Sequence, residues 1–207
     1  MNEPTFEYCS IHYLNQWLTR DSVFYEVLCD KKAAENKHLK TLKQAGAFYR
    51  VARNLPTAIE VSMDKKRYEP VLSILNEVSL STVNKSPVSQ IIDTSNKISA
   101  QYKRKSALSL SSKFLWLKFR SPILIYDSQA RKALNVKEGD IETYFYEWKN
   151  QFESNREKIE EVCNKLAALS LYAINQEIGT KDYIDTISQQ PWFHERVFDI
   201  YLWSKGA

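Results

Sequence analysis

Four glycines in 207 residues are the tightest constraint this chain places on its own fold. Hairpins and tight turns draw on glycine for backbone conformations that other residues resist. With so few glycines and only 6 prolines, a turn-rich β architecture is poorly served and helices are favoured. The apolar residues agree. Phe6, Tyr8, Ile11, Tyr13, Leu14, Trp17 and Leu18 recur three and four apart, the period of a helix with one buried face. Val23, Phe24, Val27 and Leu28 continue the pattern. The polar pair Asp21-Ser22 between the two sets predicts a break. A helix with a basic face is expected over 31–54, stopping at Arg53-Asn54-Leu55-Pro56. Further helices are expected over 68–78, 90–105, 108–119 and 141–178, with a docked aromatic helix at 192–203. Residues 79–89 are polar and serine-rich, which predicts a linker or exposed loop. An extended piece at 122–126 leads into a helix start at Asp127-Ser128. The expectation is an all-α (or mainly α) single domain over 1–207, with any division into two lobes near 79–90.

An apolar content of 43% with 13% aromatics describes a folded chain with a real core. No apolar run approaches the roughly 18 residues of a membrane span. The opening MNEPTFEYCS carries no charged leader and apolar core, so a cytoplasmic protein is expected. Cys9, Cys29 and Cys163 are odd in number and widely spaced, which reads as reduced thiols. His12, His38 and His194 are scattered too, so neither a metal nor another cofactor is expected.

Charge is distributed very unevenly. Lys97, Lys103, Arg104, Lys105, Lys113, Lys118, Arg120, Arg131 and Lys132 fall within 36 residues, with Asp127 the only carboxylate among them. This stretch is net +8 and the whole chain +4, which leaves the remainder net −4. Such asymmetry points to a polyanionic partner, most simply a nucleic-acid backbone. Along 109–120, Lys113, Trp116 and Arg120 fall on one helical arc. The arc reads either as an amine, an aromatic plate and a guanidinium offered to a ligand, or as a core helix with snorkelling cations. Asp127 also has two readings. It caps the next helix, or it uses the same helix dipole and nearby cations to stay ionised and stabilises positive charge developing on a sugar.

Lys113 followed by an apolar helix, a proline-containing turn and then Asp127 resembles the catalytic segment of helix–hairpin–helix DNA glycosylases. SKFLWLKF…PILIYDSQARKAL is most similar to a small bacterial group with an 8-oxoguanine-glycosylase (OGG) fold, some of whose members are associated with phage defence. The ending from Phe193 to Trp203 also resembles that group. The resemblance implies two helical lobes flanking a DNA groove and base flipping before catalysis. It implies Asp127 and Lys113 as catalytic residues. It implies Lys103, Arg104, Lys105, Ser111, Ser112, Lys118, Arg120 and Arg131 as DNA-binding residues, and Trp116, Tyr126, Trp192 and Phe193 as a base pocket. LSLSS at 108–112 replaces the glycine-rich hairpin of the superfamily. The fourteen-residue step from Lys113 to Asp127 is also shorter than usual there. Excision is therefore expected with or without a Schiff-base (lyase) step. The implied activity is excision of a modified base, hydroxymethyl- or glucosyl-hydroxymethylcytosine in a defence role, by a monomer acting on double-stranded DNA. The alternatives are repair of oxidised guanine and a non-catalytic DNA-binding subunit of a defence system.

Overall fold

In the computed structural model, which describes residues 4–56, 66–79, 86–103 and 106–207, all regular structure is helical and no strand occurs among those residues. The chain divides into two units, one formed by Met1–Val23 with Tyr126–Ala207 and the other by Phe24–Ile125. The boundary expected near 79–90 lies within the second unit, and 80–85 fall outside the described residues.

Helix α1 (Phe6–Gln16) begins at Thr5, whose hydroxyl accepts from the Tyr8 amide at 3.3 Å. The break expected at Asp21-Ser22 does not occur. The chain instead runs through a π-helical turn, Trp17–Asp21, into α2 (Ser22–Cys29). The polar pair that suggested a break is buried and hydrogen-bonded. Gln16 Nε2 donates to Asp21 Oδ2 at 2.9 Å, and Ser22 Oγ donates to the Trp17 carbonyl at 2.8 Å. A π turn inserts one residue without ending the helix. The division between the units falls inside α2.

In the second unit, α3 (Glu35–Phe48) ends before the expected stop. Arg50 turns into the left-handed region at φ 55°, and a 3₁₀ turn follows at Ala52–Asn54. Helix α4 (Glu69–Glu77) carries Pro70 in its first turn, where the missing N–H costs nothing. Helix α5 (Pro87–Tyr102) starts earlier than the expected 90, because Ser86 caps the Ser89 amide at 3.1 Å and Pro87 opens the helix. It closes at Lys103, which sits at φ 51°. Helix α6 (Leu108–Phe119) has the expected bounds, and every residue from Leu110 to Leu117 is buried. It packs on α3 and α5, and α4 packs on both as well.

The first unit resumes with α7 (Ser128–Ala133), α8 (Ile141–Asn164), a 3₁₀ segment Leu166–Tyr172, α9 (Lys181–Ser188) and α10 (Pro191–Gly206). The long helix expected over 141–178 stops at Asn164. Beyond it, contacts distant in sequence hold the chain: Asn15 Oδ1 accepts from the Ile174 amide at 2.9 Å, and the Ile174 side chain is 73% exposed. Helix α10 is the centre of this unit and packs on α1, α7 and α8. Phe193, Val197, Phe198 and Leu202 are fully buried along it. Trp148 stacks on Phe152 at 5.1 Å and meets the edge of Phe198 at 5.1 Å, contacts worth about 0.5–1.5 kcal/mol each beyond area burial. No helix among the described residues is long and apolar enough to cross a membrane.

Candidate active site

Asp127 stands where the sequence predicts a helix cap. Its backbone is extended (φ −126°, ψ 144°), and its Oδ1 accepts from the Gln129 amide at 2.9 Å, opening α7. The side chain is half-buried. Two helices of the same unit hold this corner. From α8, the Tyr144 phenol hydrogen-bonds to the Asp127 backbone. From α10, Gly206 lies so close to α7 that an added Cβ would collide with the Gln129 carbonyl oxygen. A glycine is needed there for the two backbones to approach. Tyr126, just before Asp127, meets Tyr144 edge-on at 5.0 Å, and its hydroxyl accepts from the Gly139 amide at 2.9 Å.

Behind this corner is a polar cluster in the interior of the unit. Asp199 on α10 is 5% exposed. Its Oδ1 accepts from Trp148 Nε1 at 2.8 Å, and its Oδ2 accepts from Arg196 Nη1 at 3.1 Å. Arg196 is equally buried and lies 5.2 Å over the Tyr13 ring. Burial pushes the Asp199 carboxyl up to about 6. Arg196 and the Trp148 hydrogen bond oppose that rise, and the charge of Asp127 adds to it. The Tyr144 phenol is raised well above its ordinary value, first by burial and then by the charges of Asp199 and Asp127. No sequence pattern pointed to Asp199, Arg196, Tyr144 or Trp148. The available signal was an Arg–Asp pair three residues apart inside an aromatic helix, where unpaired charge is not tolerated.

The other residues implied by the resemblance divide between the two units. Arg131 belongs to the first and donates from Nη1 to the Val136 carbonyl. Trp192 and Phe193 also belong to it and are buried. Trp192 lies 4.4 Å from the Trp17 ring, and Phe193 lies 4.8 Å from the Tyr13 ring. All remaining candidates are in the second unit. Trp116 is 1% exposed, within the buried stretch of α6. Lys113 is 5% exposed, and its Nζ donates to Ser109 Oγ, one turn earlier, at 3.0 Å. Ser112 Oγ donates to the Ser109 carbonyl at 3.3 Å. Ser111 Oγ is buried and has no hydrogen-bond partner among the described residues.

Lys118 reaches the C-terminus of α4, donating to the Leu75 carbonyl at 2.8 Å and Asn76 Oδ1 at 3.0 Å. Arg120 lies just past α6 at φ 57°, ψ −139°, a conformation rare outside glycine. Its guanidinium is 3.9 Å over the Tyr25 ring and donates to the Tyr25 hydroxyl. The arc drawn through Lys113, Trp116 and Arg120 is therefore not an exposed face: two members are buried in the helix and the third lies beyond its end. Lys103 is exposed, as is Lys132, which the resemblance does not place among the DNA-binding residues. Arg104 and Lys105 lie outside the described residues.

A carboxylate fixed at a helix start can stabilise positive charge or activate a water. No group of three or more His, Cys, Asp or Glu among the described residues is arranged to hold a metal. No protein-family model, curated protein or solved structure matches the chain.

Proposed function

We propose that the chain is a helix–hairpin–helix type DNA glycosylase that hydrolyses the N-glycosidic bond of a flipped, modified nucleotide at Asp127. The observation that carries this reading is the Asp127 carboxylate itself. It is fixed by a cap bond at the start of α7 and is the only carboxylate in a stretch of net charge +8. Cations attract the phosphate backbone, and a held carboxylate offsets charge where a sugar becomes oxocarbenium-like. In the reaction the C1′–N bond breaks, and its electron pair leaves with the base, which takes up a proton from solvent. Water oxygen bonds to C1′ and releases its own proton, with Asp127 as the acceptor. Lys113 is given no Schiff-base role, because its amine is buried and donates to Ser109. The substrate class proposed is a modified cytosine of foreign DNA.

The test incubates the protein with duplexes carrying hydroxymethylcytosine, glucosyl-hydroxymethylcytosine, oxidised guanine or no modification. Released bases are read by mass spectrometry, and abasic sites by alkali cleavage. Release of a modified cytosine, without borohydride trapping, is the expected result. Release of oxidised guanine alone would move the substrate to repair, and no release from any duplex would overturn the reading. A second reading is a non-catalytic DNA-binding protein. The cap bond to Gln129 favours it, since that bond accounts for an aspartate at this position without chemistry.

A further inference from the structure

The basic face expected over 31–54 forms on α3, and the site described above leaves it unused. Leu39, Thr41, Leu42, Ala45 and Gly46 make the buried side of that helix. Opposite them, Asn36, Lys37, Lys40, Lys43, Gln44 and Ala47 are all exposed. The three lysines occupy about 120° of the helix circumference and about 9 Å of its length. Glu35, the only carboxylate in the helix, lies off this arc. A fourth cation joins from a segment thirty positions away: the exposed Lys66 donates from Nζ to Asn36 Oδ1 at 2.6 Å. Exposed cations on other helices meet carboxylates instead. Lys97 of α5 pairs with Glu77, Arg156 of α8 with Glu153, and Lys165, just past α8, with Glu161. No such pair engages Lys37, Lys40 or Lys43 among the described residues.

We propose that the exposed face of α3, Lys37, Lys40 and Lys43 with Lys66 beside them, binds the phosphate backbone of duplex DNA. The inference rests on the DNA-binding half of the reading above and not on base excision. Like charges one turn apart repel and weaken a free helix, and phosphates relieve that repulsion while their counterions are released. Ammonium groups spread along a helix face do not converge on one point, so they suit an extended polyanion rather than one small anion. Asn36 and Gln44 add side-chain amides, which hydrogen-bond to phosphate oxygens and position a protein on the duplex. A helix lying in a bilayer surface needs large apolar side chains to bury in it. The α3 arc has none, and its apolar side is already covered by protein. Within 97–132, by contrast, Lys113, Lys118, Arg120 and Arg131 are bonded inside the protein. The α3 face therefore offers phosphate what that stretch keeps for itself.

The experiment measures binding of the full chain to a labelled, unmodified duplex by fluorescence anisotropy, from about 50 to 200 mM salt. Wild type is compared with the triple variant Lys37→Ala, Lys40→Ala, Lys43→Ala and with Lys66→Ala. A second triple variant, Lys149→Ala, Lys158→Ala, Lys165→Ala, makes an equal charge change at exposed positions on and just past α8. Each phosphate contact contributes about 0.9 to the slope of log Kd against log salt. The α3 variant should therefore be shallower by about 2–3 and Lys66→Ala by about 1, with the α8 variant keeping the wild-type slope. Alanine favours a helix, so the thermal midpoint of the α3 variant should hold. A wild-type slope in the α3 variant, or an equal fall in both triple variants, would overturn the proposal. Should the α3 variant not fold, Lys66→Ala decides, and a wild-type slope there overturns it. Binding to phosphatidylserine vesicles that the α3 variant loses, with duplex binding intact, would give the face to a membrane and overturn it too. A wild type that binds duplex but releases no base defeats excision alone and leaves this inference standing. A wild type that binds no duplex at about 50 mM salt defeats both.

Discussion

Helices α6 and α10 each bury a charged side chain in an apolar setting, and the bonds described for the two differ. Lys113 and Asp199 are both 5% exposed. The lysine donates to a neutral hydroxyl on its own helix, that of Ser109. The carboxylate has a full counter-charge in Arg196 and an indole donor from a second helix. The neighbours of Lys113 extend the contrast. Lys118 closes the end of α4, and Arg120 covers Tyr25. Lys118 and Arg120 of the second unit thus bind a helix end and a ring elsewhere in their own unit, whereas in the first unit the ion pair lies within α10 and the Trp148 indole joins α8 to it. Charge density along a sequence therefore exceeds the charge offered to a partner. Of the seven described cations between 97 and 132, Lys97, Lys103 and Lys132 are exposed, Lys97 pairing with Glu77, while Lys113, Lys118, Arg120 and Arg131 hydrogen-bond within the protein.

The largest expected effect comes from splitting the ion pair. Arg196→Met leaves Asp199 buried without its counter-charge, a change that costs about 3–5 kcal/mol. Urea unfolding at neutral pH measures it. A loss under about 1 kcal/mol would place this pair with exposed ones and erase the contrast with α6.

Next in size is a dependence on pH. The Asp199 carboxyl is raised from 3.8 to about 6. Between those values the folded chain holds a proton that the unfolded chain has lost, so stability falls as pH rises from about 4 to about 6. The fall attributable to this group is roughly 3 kcal/mol. Asp199→Asn should remove it from the difference between the two stability–pH curves. Parallel curves across that window would show that Asp199 ionises normally.

The smallest effects separate structural from surface cations. Lys118→Met removes a charged donor from the end of α4 and should cost about 1.5 kcal/mol, leaving the salt dependence of DNA binding unchanged. Lys103→Ala should do the reverse, with little change in stability and a salt slope shallower by about one. Identical behaviour of the two variants in either measurement would remove the distinction.

Much of the fold was legible where local chemistry decides. The bounds of α6, the proline-led start of α4 and the Asp127 cap all follow from side chains acting on their nearest backbone. Legibility ended where distant residues decide. Asp21-Ser22 looked like a break because two small polar residues interrupt an apolar pattern, yet Gln16 and the Trp17 carbonyl bury them within a π turn. The run after Asn164 kept its apolar residues but not its helix, because Asn15 draws the backbone of Ile174 to α1. At the candidate site the sequence showed Asp127 through its cap and its cationic surroundings. It did not show Asp199, because the Trp148 that binds it is fifty-one residues away. The aromatics Trp116, Tyr126, Trp192 and Phe193 fit a pocket and a core equally well by spacing, and all four are buried.

Single-turnover base release by wild type and Asp127→Asn, on a duplex carrying the modified cytosine, tests the role of Asp127 most directly. Asparagine caps a helix about as well as aspartate, so α7 and the thermal midpoint should be retained. Removing the charge while keeping the shape should slow release on the order of 10²–10³-fold, equivalent to about 3–4 kcal/mol of transition-state stabilisation. An Asp127→Asn protein that releases base at the wild-type rate would reduce Asp127 to a helix cap and contradict the glycosylase mechanism.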